Sequence, residues 1–358
     1  MMSHVRVAYD CHSLLTSPTG LARYTASLGD ALTARGVELR RFAVGWNGSP
    51  PPGVRHMRAP NPIVQRCWRF TGRPSIRRLT GPVDLVHGTE FVLPPLPGAA
   101  GVVTVHDLSF KRGDAFPGAR RLRSLVPWSL DRARRVLVPS EAVAAELRAE
   151  YPLDPARVVV TYEGVHERFF DASPLSDGAL AGLGIRRPFA LVVGEVQPRK
   201  NLATLLQAWT GVRAALPEWI LVVAGPSGWG PSLQPVPGAL LTGWVPDDDL
   251  PGLMAAADLF CFPSLYEGFG LPPLEAMAAG TAVLAGRYDA APELLGDAAR
   301  LVDQRDPDAL GAALEALAGD DAQRAELARR GRARAAEFTW ERTAELTMAA
   351  YEDALRAP

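Results

Sequence analysis

Short β-rich runs that end in glycine or polar residues and pass into helix-like segments recur along nearly the whole chain. This alternation restricts it to parallel sheets covered by helices on both faces. VRVAYD (5–10) leads through a loop to LARYTASLGDALTARG, a helix that Gly36 should stop. VELRRFAVG, VDLVHG and GVVTVHD read as further strands, and ARRVLVPS runs into the helix EAVAAELRAEY with Ser140 as N-cap. RVVVTYEGV closes this series. The rhythm restarts at PFALVVGEV (188–196) and continues through NLATLLQAW, WILVVAG, ALLTGWV and DDLPGLMAAA to DLFCFPS. Two series, separated near 163–187, predict two doubly wound α/β domains over 1–170 and 171–340 rather than one large sheet. A length of 358 residues agrees, being long for a single domain.

Composition narrows the functional classes. A chain that is 47% hydrophobic and 22% charged is an ordinary globular protein rather than a disordered one. Its longest apolar runs are strand-sized, and MMSHVRVAYD has no apolar stretch behind a basic start, so a cytoplasmic location is expected. Three scattered cysteines fit neither a disulfide framework nor a zinc site. The net charge of −1 conceals an asymmetry. Residues 1–170 carry 23 Lys and Arg against 14 Asp and Glu, a balance of +9, and the remainder carries 15 against 25, a balance of −10. Much of the excess lies in RCWRFTGRPSIRRL (66–79), where arginine alternates with Trp68 and Phe70, and in residues 111–135. A basic first domain suggests an anionic partner: a phosphorylated substrate or a membrane surface rather than nucleic acid, for which no module signature appears. Neither stretch reads as a clean amphipathic helix, and a solvated arginine-rich surface explains them equally well.

Ligands of such sheets bind beyond the carboxyl ends of strands, and four places there carry polar residues. In PSLYEGFGLPPLEAM (263–277), Pro272-Pro273 is suited to begin a helix, which would put Glu275 in the first turn and Glu267 in the loop before it. The amides of Phe269, Gly270 and Leu271 then point from a helix N-terminus, a ready anion site. The helix dipole would explain Glu275 by itself but not Glu267. In VGEVQPRKN (193–201), Gly194 ends a strand, Asn201 is an expected N-cap, and Arg199 with Lys200 stands at the mouth of a helix. Two cations there fit a diphosphate. The chain has only two lysines, Lys111 and Lys200, against 36 arginines, so retention of lysine at 200 is notable. TVHDLS places His106 at a strand end, with His87 a weaker candidate in a similar position. SPTGLARY (17–24) offers Gly20 for close approach of a phosphate or sugar, with an ordinary turn glycine the equal alternative.

Together E267-GFGLPPL-E275, R199-K200-N201 and TGLARY resemble glycosyltransferase family 4, the retaining GT-B enzymes. The resemblance runs on through LTGWVPDDDL, AMAAGTAVLA, PELLGDAARLVD and FTWERTAELTMAAY, and is strongest toward bacterial mannosyltransferases of surface-polysaccharide pathways. It implies a GT-B fold: two Rossmann-like domains facing across a cleft, the first binding the acceptor and the second the nucleotide sugar, with a C-terminal helix of about 341–358 returning to the first. By matching positions, Arg199 and Lys200 would bind the donor diphosphate, Glu267 the donor hexose and Glu275 the ribose. Phe269, Gly270 and Leu271 would offer amides to phosphate or sugar, Gly243, Trp244 and Val245 would border the base, and His106 would approach the sugar from the first domain. At the loop before Gly20 the chain departs from the paired glycines of the family, Thr19 replacing one of them.

The implied chemistry breaks the bond between the anomeric carbon and a diphosphate. Arg199, Lys200 and the helix amides are suited to the charge that builds on the leaving phosphate. No cofactor or metal is expected, because Asp247–Asp249 and Asp306–Asp308 both read as helix starts beside prolines. With no obvious nucleophile, front-face transfer with retention is the working expectation, from GDP-mannose or a UDP-sugar to a glycan, natural-product or anionic lipid-linked acceptor at the inner membrane face. Two other readings stay open. One is a sugar-nucleotide epimerase on the same fold. The other is a non-catalytic nucleotide-sugar-binding partner, which would be expected to have lost Lys200 or Glu267. A nicotinamide dehydrogenase lacks support, since the first strand–helix turn has no G-x-G-x-x-G.

Overall fold

A computed structural model describes residues 5–15, 20–95, 97–113, 118–230 and 232–357. The chain divides into two units, one formed by 1–164 with 340–358 and the other by 165–339. The first therefore ends at Gly164 rather than at 170.

The first unit holds a seven-stranded sheet. Its strands are β1 (Arg6–Asp10), β2 (Glu38–Gly45), β3 (Arg55–Arg58), β4 (Leu85–Gly88), β5 (Ala100–Thr104), β6 (Arg135–Val138) and β7 (Val158–Val160). All pair in parallel, in the order β3-β2-β1-β4-β5-β6-β7. Adjacent residues of one strand enter opposite cores, as the pleat demands. Ala8, Phe42, Val86 and Val103 pack with Trp68, Leu125 and Val143 on one side. Val7, Ala43, Leu85 and Val102 pack with Tyr24, Leu28, Ala344 and Tyr351 on the other. The last two come from the C-terminal helix Trp340–Arg356, whose Thr343 Oγ1 donates to Tyr162 O at 2.6 Å. Ser140 caps its helix as expected, accepting from Val143 N at 3.2 Å.

The second unit holds β8 (Phe189–Val193), β9 (Ile220–Ala224), β10 (Ala239–Gly243), β11 (Leu259–Phe262), β12 (Val283–Gly286) and β13 (Arg300–Val302). These too pair in parallel, in the order β10-β9-β8-β11-β12-β13. The helix Leu202–Val212 lays Leu202, Leu205, Leu206 and Trp209 on Ala190, Val192, Leu221 and Cys261. Both faces of the central strands are apolar, as in β8, β9, β11 and β12, which is why the sheets are parallel and doubly covered. Three strands go beyond the expected elements: the edge strands β3 and β13, whose RHMR and RLV lack the apolar run of the central strands, and β12, whose VLAG follows DLFCFPS where the expected series ended.

The expectation about the first basic stretch is corrected. The helix Asn61–Thr71 is amphipathic after all, burying Val64, Gln65 and Trp68 while Ile63 and Phe70 stand 60% and 70% exposed beside exposed Arg66 and Arg69. Trp68 belongs to the core, its Nε1 donating to Pro74 O at 2.8 Å. Among the described residues no helix is long and apolar enough to cross a membrane. All three cysteines are free, Cys11 and Cys261 buried and Cys67 half-buried.

Candidate functional site

In the second sheet the chain order reverses between β8 and β11, with β9 and β10 on one side and β12 and β13 on the other. Such a switch point leaves room for a ligand beyond the strand ends. The residues that follow β8 and β11 meet there. Arg199 and Lys200 form a 3₁₀ turn with Pro198, and Leu265 N donates to Arg199 O at 2.8 Å. Asn201 holds the two strand ends together. Its Nδ2 donates to Pro263 O at 3.2 Å and Gln304 O at 2.6 Å, and its Oδ1 accepts from Thr204 Oγ1 at 2.7 Å. Asn201 thus stands at the N-cap position, as expected, but with φ +56° its side chain does not cap the helix. It is committed to bracing neighbouring loops, a task Asn tolerates because it accepts left-handed backbone.

Glu267 is the hub. Lys200 Nζ donates to its Oε1 at 2.7 Å, and Arg199 donates to its Oε2. Arg199 also reaches Tyr266 O at 3.4 Å and Gln197 Oε1 at 3.2 Å. The Lys200 stem lies over Gly194, where a Cβ would come within 3.4 Å of Cε, and Nζ sits 4.8 Å from the centre of the Phe262 ring. Side-chain exposure is 10% for Glu267, 11% for Lys200 and 26% for Arg199. Burial pushes the Glu267 carboxyl up, but Arg199 and Lys200 outweigh it and hold the group at about 2. Burial lowers the Lys200 pKa, Glu267 raises it and Arg199 lowers it again. Two cations therefore touch one carboxylate in a mostly dry place. Glu195 acts on Lys200 from beyond ion-pair distance, and cations that outnumber the carboxylate in direct contact are costly unless an anion joins them.

A helix N-terminus faces the same loop. Gly270 is the N-cap of Leu271–Ala278 with φ +103°, a conformation that suits glycine. The helix begins at Leu271, ahead of both prolines, because a first turn needs no N–H from them. Glu275 is consequently its fifth residue and not in the first turn as expected, so the dipole explanation for it lapses. It is 3% exposed. Phe269 and Leu271 are buried, Phe269 packing edge-to-face on Phe338 at 5.8 Å. Gly243 ends β10 with φ +73°, Trp244 is 49% exposed and Val245 is buried. Of the Asp-x-Asp pairs, Asp306 starts a helix as expected, accepting from Asp308 N at 2.9 Å and Ala309 N at 3.2 Å. Asp247 instead pairs with Arg168 at 2.7 Å, and Asp249 precedes its helix without a side-chain cap bond.

In the first unit the order reverses between β1 and β4. His106, two residues beyond β5, is 6% exposed, with Nδ1 3.2 Å from Glu163 Oε1 and Nε2 2.9 Å from Thr89 O. Both partners can accept, an arrangement that favours the doubly protonated imidazolium. Burial pulls its pKa down, but Glu163 and the Thr89 carbonyl outweigh it and raise it above the ordinary value. Glu163 escapes sequence reasoning because EGV reads only as the end of a strand. His87 is a core residue: fully buried, bonded to Tyr351 OH at 2.7 Å and Thr104 Oγ1 at 2.8 Å, and held neutral by burial at about 3. Asp10, also unanticipated, ends β1; burial and then Glu90 raise it to about 7. Gly20 opens the helix Gly20–Ala34, and the preceding loop, 16–19, lies outside the described residues.

A raised histidine stabilises the fold fully below its ordinary value of about 6.5 and loses that contribution as pH rises through its native value. Glu163→Gln is expected to move His106 titration to lower pH and to flatten this loss of stability on the alkaline side. Ring ¹⁵N shifts across a pH series read it directly, and wild-type titration below the ordinary value would refute the imidazolium.

Residues 182–334 match the family model of glycosyl transferases group 1, and residues 18–169 match that of glycosyltransferase family 4. The O-antigen chain mannosyltransferase B of Escherichia coli is 35% identical over 292 residues, which span 75% of this chain and 74% of that one. Sucrose-phosphate synthase of Thermosynechococcus elongatus superposes with a TM-score of 0.77 at 21% identity, covering 98% of each chain. Anabaena HepE in complex with UDP-glucose gives 0.74 at 17% identity, over 97% of this chain and 99% of that one. A pair of parallel α/β units with the Rossmann strand order, together with these matches, identifies the chain as a glycosyltransferase of GT-B fold that belongs to glycosyltransferase family 4.

Proposed function

We propose that the enzyme transfers a hexose, mannose as the first choice, from a nucleoside-diphosphate sugar with retention of configuration. The observation that carries this reading is the buried cluster of Arg199, Lys200 and Glu267 at the switch point of the second sheet, beside the N-terminus of Leu271–Ala278. Its positive excess suits a diphosphate, and Glu267, poised ionised, suits hydrogen bonds from sugar hydroxyls. The mannosyltransferase relative favours mannose as the sugar, the UDP-glucose held by HepE favours the nucleotide-sugar class, and GDP-mannose is our first choice of donor. Glu275 would grip the ribose, and Gly243, Trp244 and Val245 would border the base.

In the reaction the anomeric C–O bond to the phosphate breaks, and its electron pair stays with the leaving diphosphate. Arg199, Lys200 and the amides of Phe269, Gly270 and Leu271 stabilise that charge without metal. The acceptor oxygen bonds to the anomeric carbon on the same face, and its proton passes to the leaving phosphate oxygen. On the acceptor side His106 supplies a fixed positive charge, and Asp10 can bond a hydroxyl. The exposed Ile63, Phe70, Arg66 and Arg69 face suits an anionic membrane carrying a lipid-linked acceptor.

The test is NMR of the product's anomeric proton. Retention of the donor's configuration, undiminished in chelator, is the expected result. Inversion sinks the front-face mechanism, and isomerised sugar from donor alone makes the enzyme an epimerase.

A further inference from the structure

At the carboxyl ends of adjacent strands in the second unit, three buried polar atoms have no hydrogen-bond partner among the described residues: Ser264 Oγ after β11, Tyr288 OH after β12 and Gln304 Nε2 after β13. All three can donate. Gln304 is fixed in that sense because its Oε1 accepts from Arg287 N at 2.8 Å. Folded chains leave few buried polar atoms unsatisfied, since each one is destabilising, so such a group calls for a ligand or a function.

Tyr288 is the best placed of them. It is 1% exposed, and its ring stands edge-to-face on Phe262 with centroids 5.8 Å apart. The same Phe262 ring carries Lys200 Nζ at 4.8 Å. The hydroxyl abuts the backbone of Gly270, where a Cβ would lie only 2.6 Å from it. Gly270 is the N-cap of the eight-residue helix Leu271–Ala278. Any side chain at 270 would thus displace the hydroxyl from the helix end. Burial, with Glu267 adding to it, holds the phenol well above its ordinary pKa, so it stays a proton donor.

We propose that Tyr288 is a donor-binding residue whose hydroxyl donates to a diphosphate oxygen seated on the N-terminus of Leu271–Ala278. The inference rests on the donor-site reading above and adds a contact that neither the motif spacing nor the charge cluster marks. Without the donor the hydroxyl has no acceptor among the described residues. In the complex the phosphate oxygen supplies one, so the favourable contact appears only on binding.

Tyr288→Phe keeps the ring and removes the hydroxyl. Thermal stability without ligand should equal or exceed wild type, while calorimetric affinity for GDP or UDP falls by about tenfold or more. Unchanged affinity overturns the inference, whether or not the variant loses stability. Should the variant not fold, ¹³Cζ-labelled tyrosine in wild type carries the same test. The Tyr288 resonance should shift with GDP or UDP and not with the bare nucleoside, and no shift overturns the inference. Wild type that binds neither diphosphate refutes the donor-site reading itself.

Discussion

Replacing Lys200 by alanine should cut transfer by about a hundredfold or more, the usual cost of removing a charged contact to a developing oxyanion. The fold should bear the change. Glu267 keeps Arg199 as a partner, and the helix Leu202–Val212 is anchored by Leu202, Leu205 and Trp209, none of which touches the ammonium as a hydrogen-bond partner. Losing the ammonium removes one of the two cations that pair with Glu267 and so weakens the attraction for a diphosphate. Single-turnover kinetics with radiolabelled donor measure the effect. Near-normal turnover would remove Lys200 from the site.

Glu267→Ala should reduce transfer to a similar extent for a different reason. Without the carboxylate, Arg199 and Lys200 repel each other across the loop, and removing one partner of a buried ion pair costs about 3–5 kcal/mol. The variant is therefore expected to melt at lower temperature while gaining attraction for anions. Free nucleoside diphosphate should bind it at least as tightly as it binds wild type, whereas the intact nucleotide sugar gains nothing further from its hexose. Wild type should show that gain. The pH dependence follows the same logic. Glu267 is depressed, so its contribution is present above the ordinary carboxylate value of about 4.3 and is lost as pH falls through its native value of about 2. Equilibrium unfolding between pH 5 and 2, roughly the span of that linkage, should be flatter in Glu267→Ala than in wild type.

Part of the site is legible in the amino-acid sequence. Arg199, Lys200 and Glu267 stand directly after apolar runs, and polar residues in that position point to a ligand on any doubly wound sheet. Their mutual pairing is not legible there. Lys200 and Glu267 are 67 residues apart, and only the order β9-β8-β11-β12 brings β8 beside β11. Asn201 reads as a helix cap because spacing reveals local neighbours only. Its real partners, the Pro263 and Gln304 carbonyls, belong to distant loops. Glu275 falls one residue beyond the expected first turn because the helix starts at Leu271, ahead of prolines that a first turn tolerates at several positions. Tyr288 leaves no mark at all: RYD after β12 has neither glycine spacing nor charge pattern, and the tyrosine's position against Gly270 is purely tertiary.

Titration of GMP and GDP, or UMP and UDP, into wild type and Lys200→Ala reads whether Arg199 and Lys200 hold the donor diphosphate. Wild type should prefer the diphosphate, and the variant should bind mono- and diphosphate almost equally. A variant that keeps the full wild-type preference would place the diphosphate elsewhere and contradict the account.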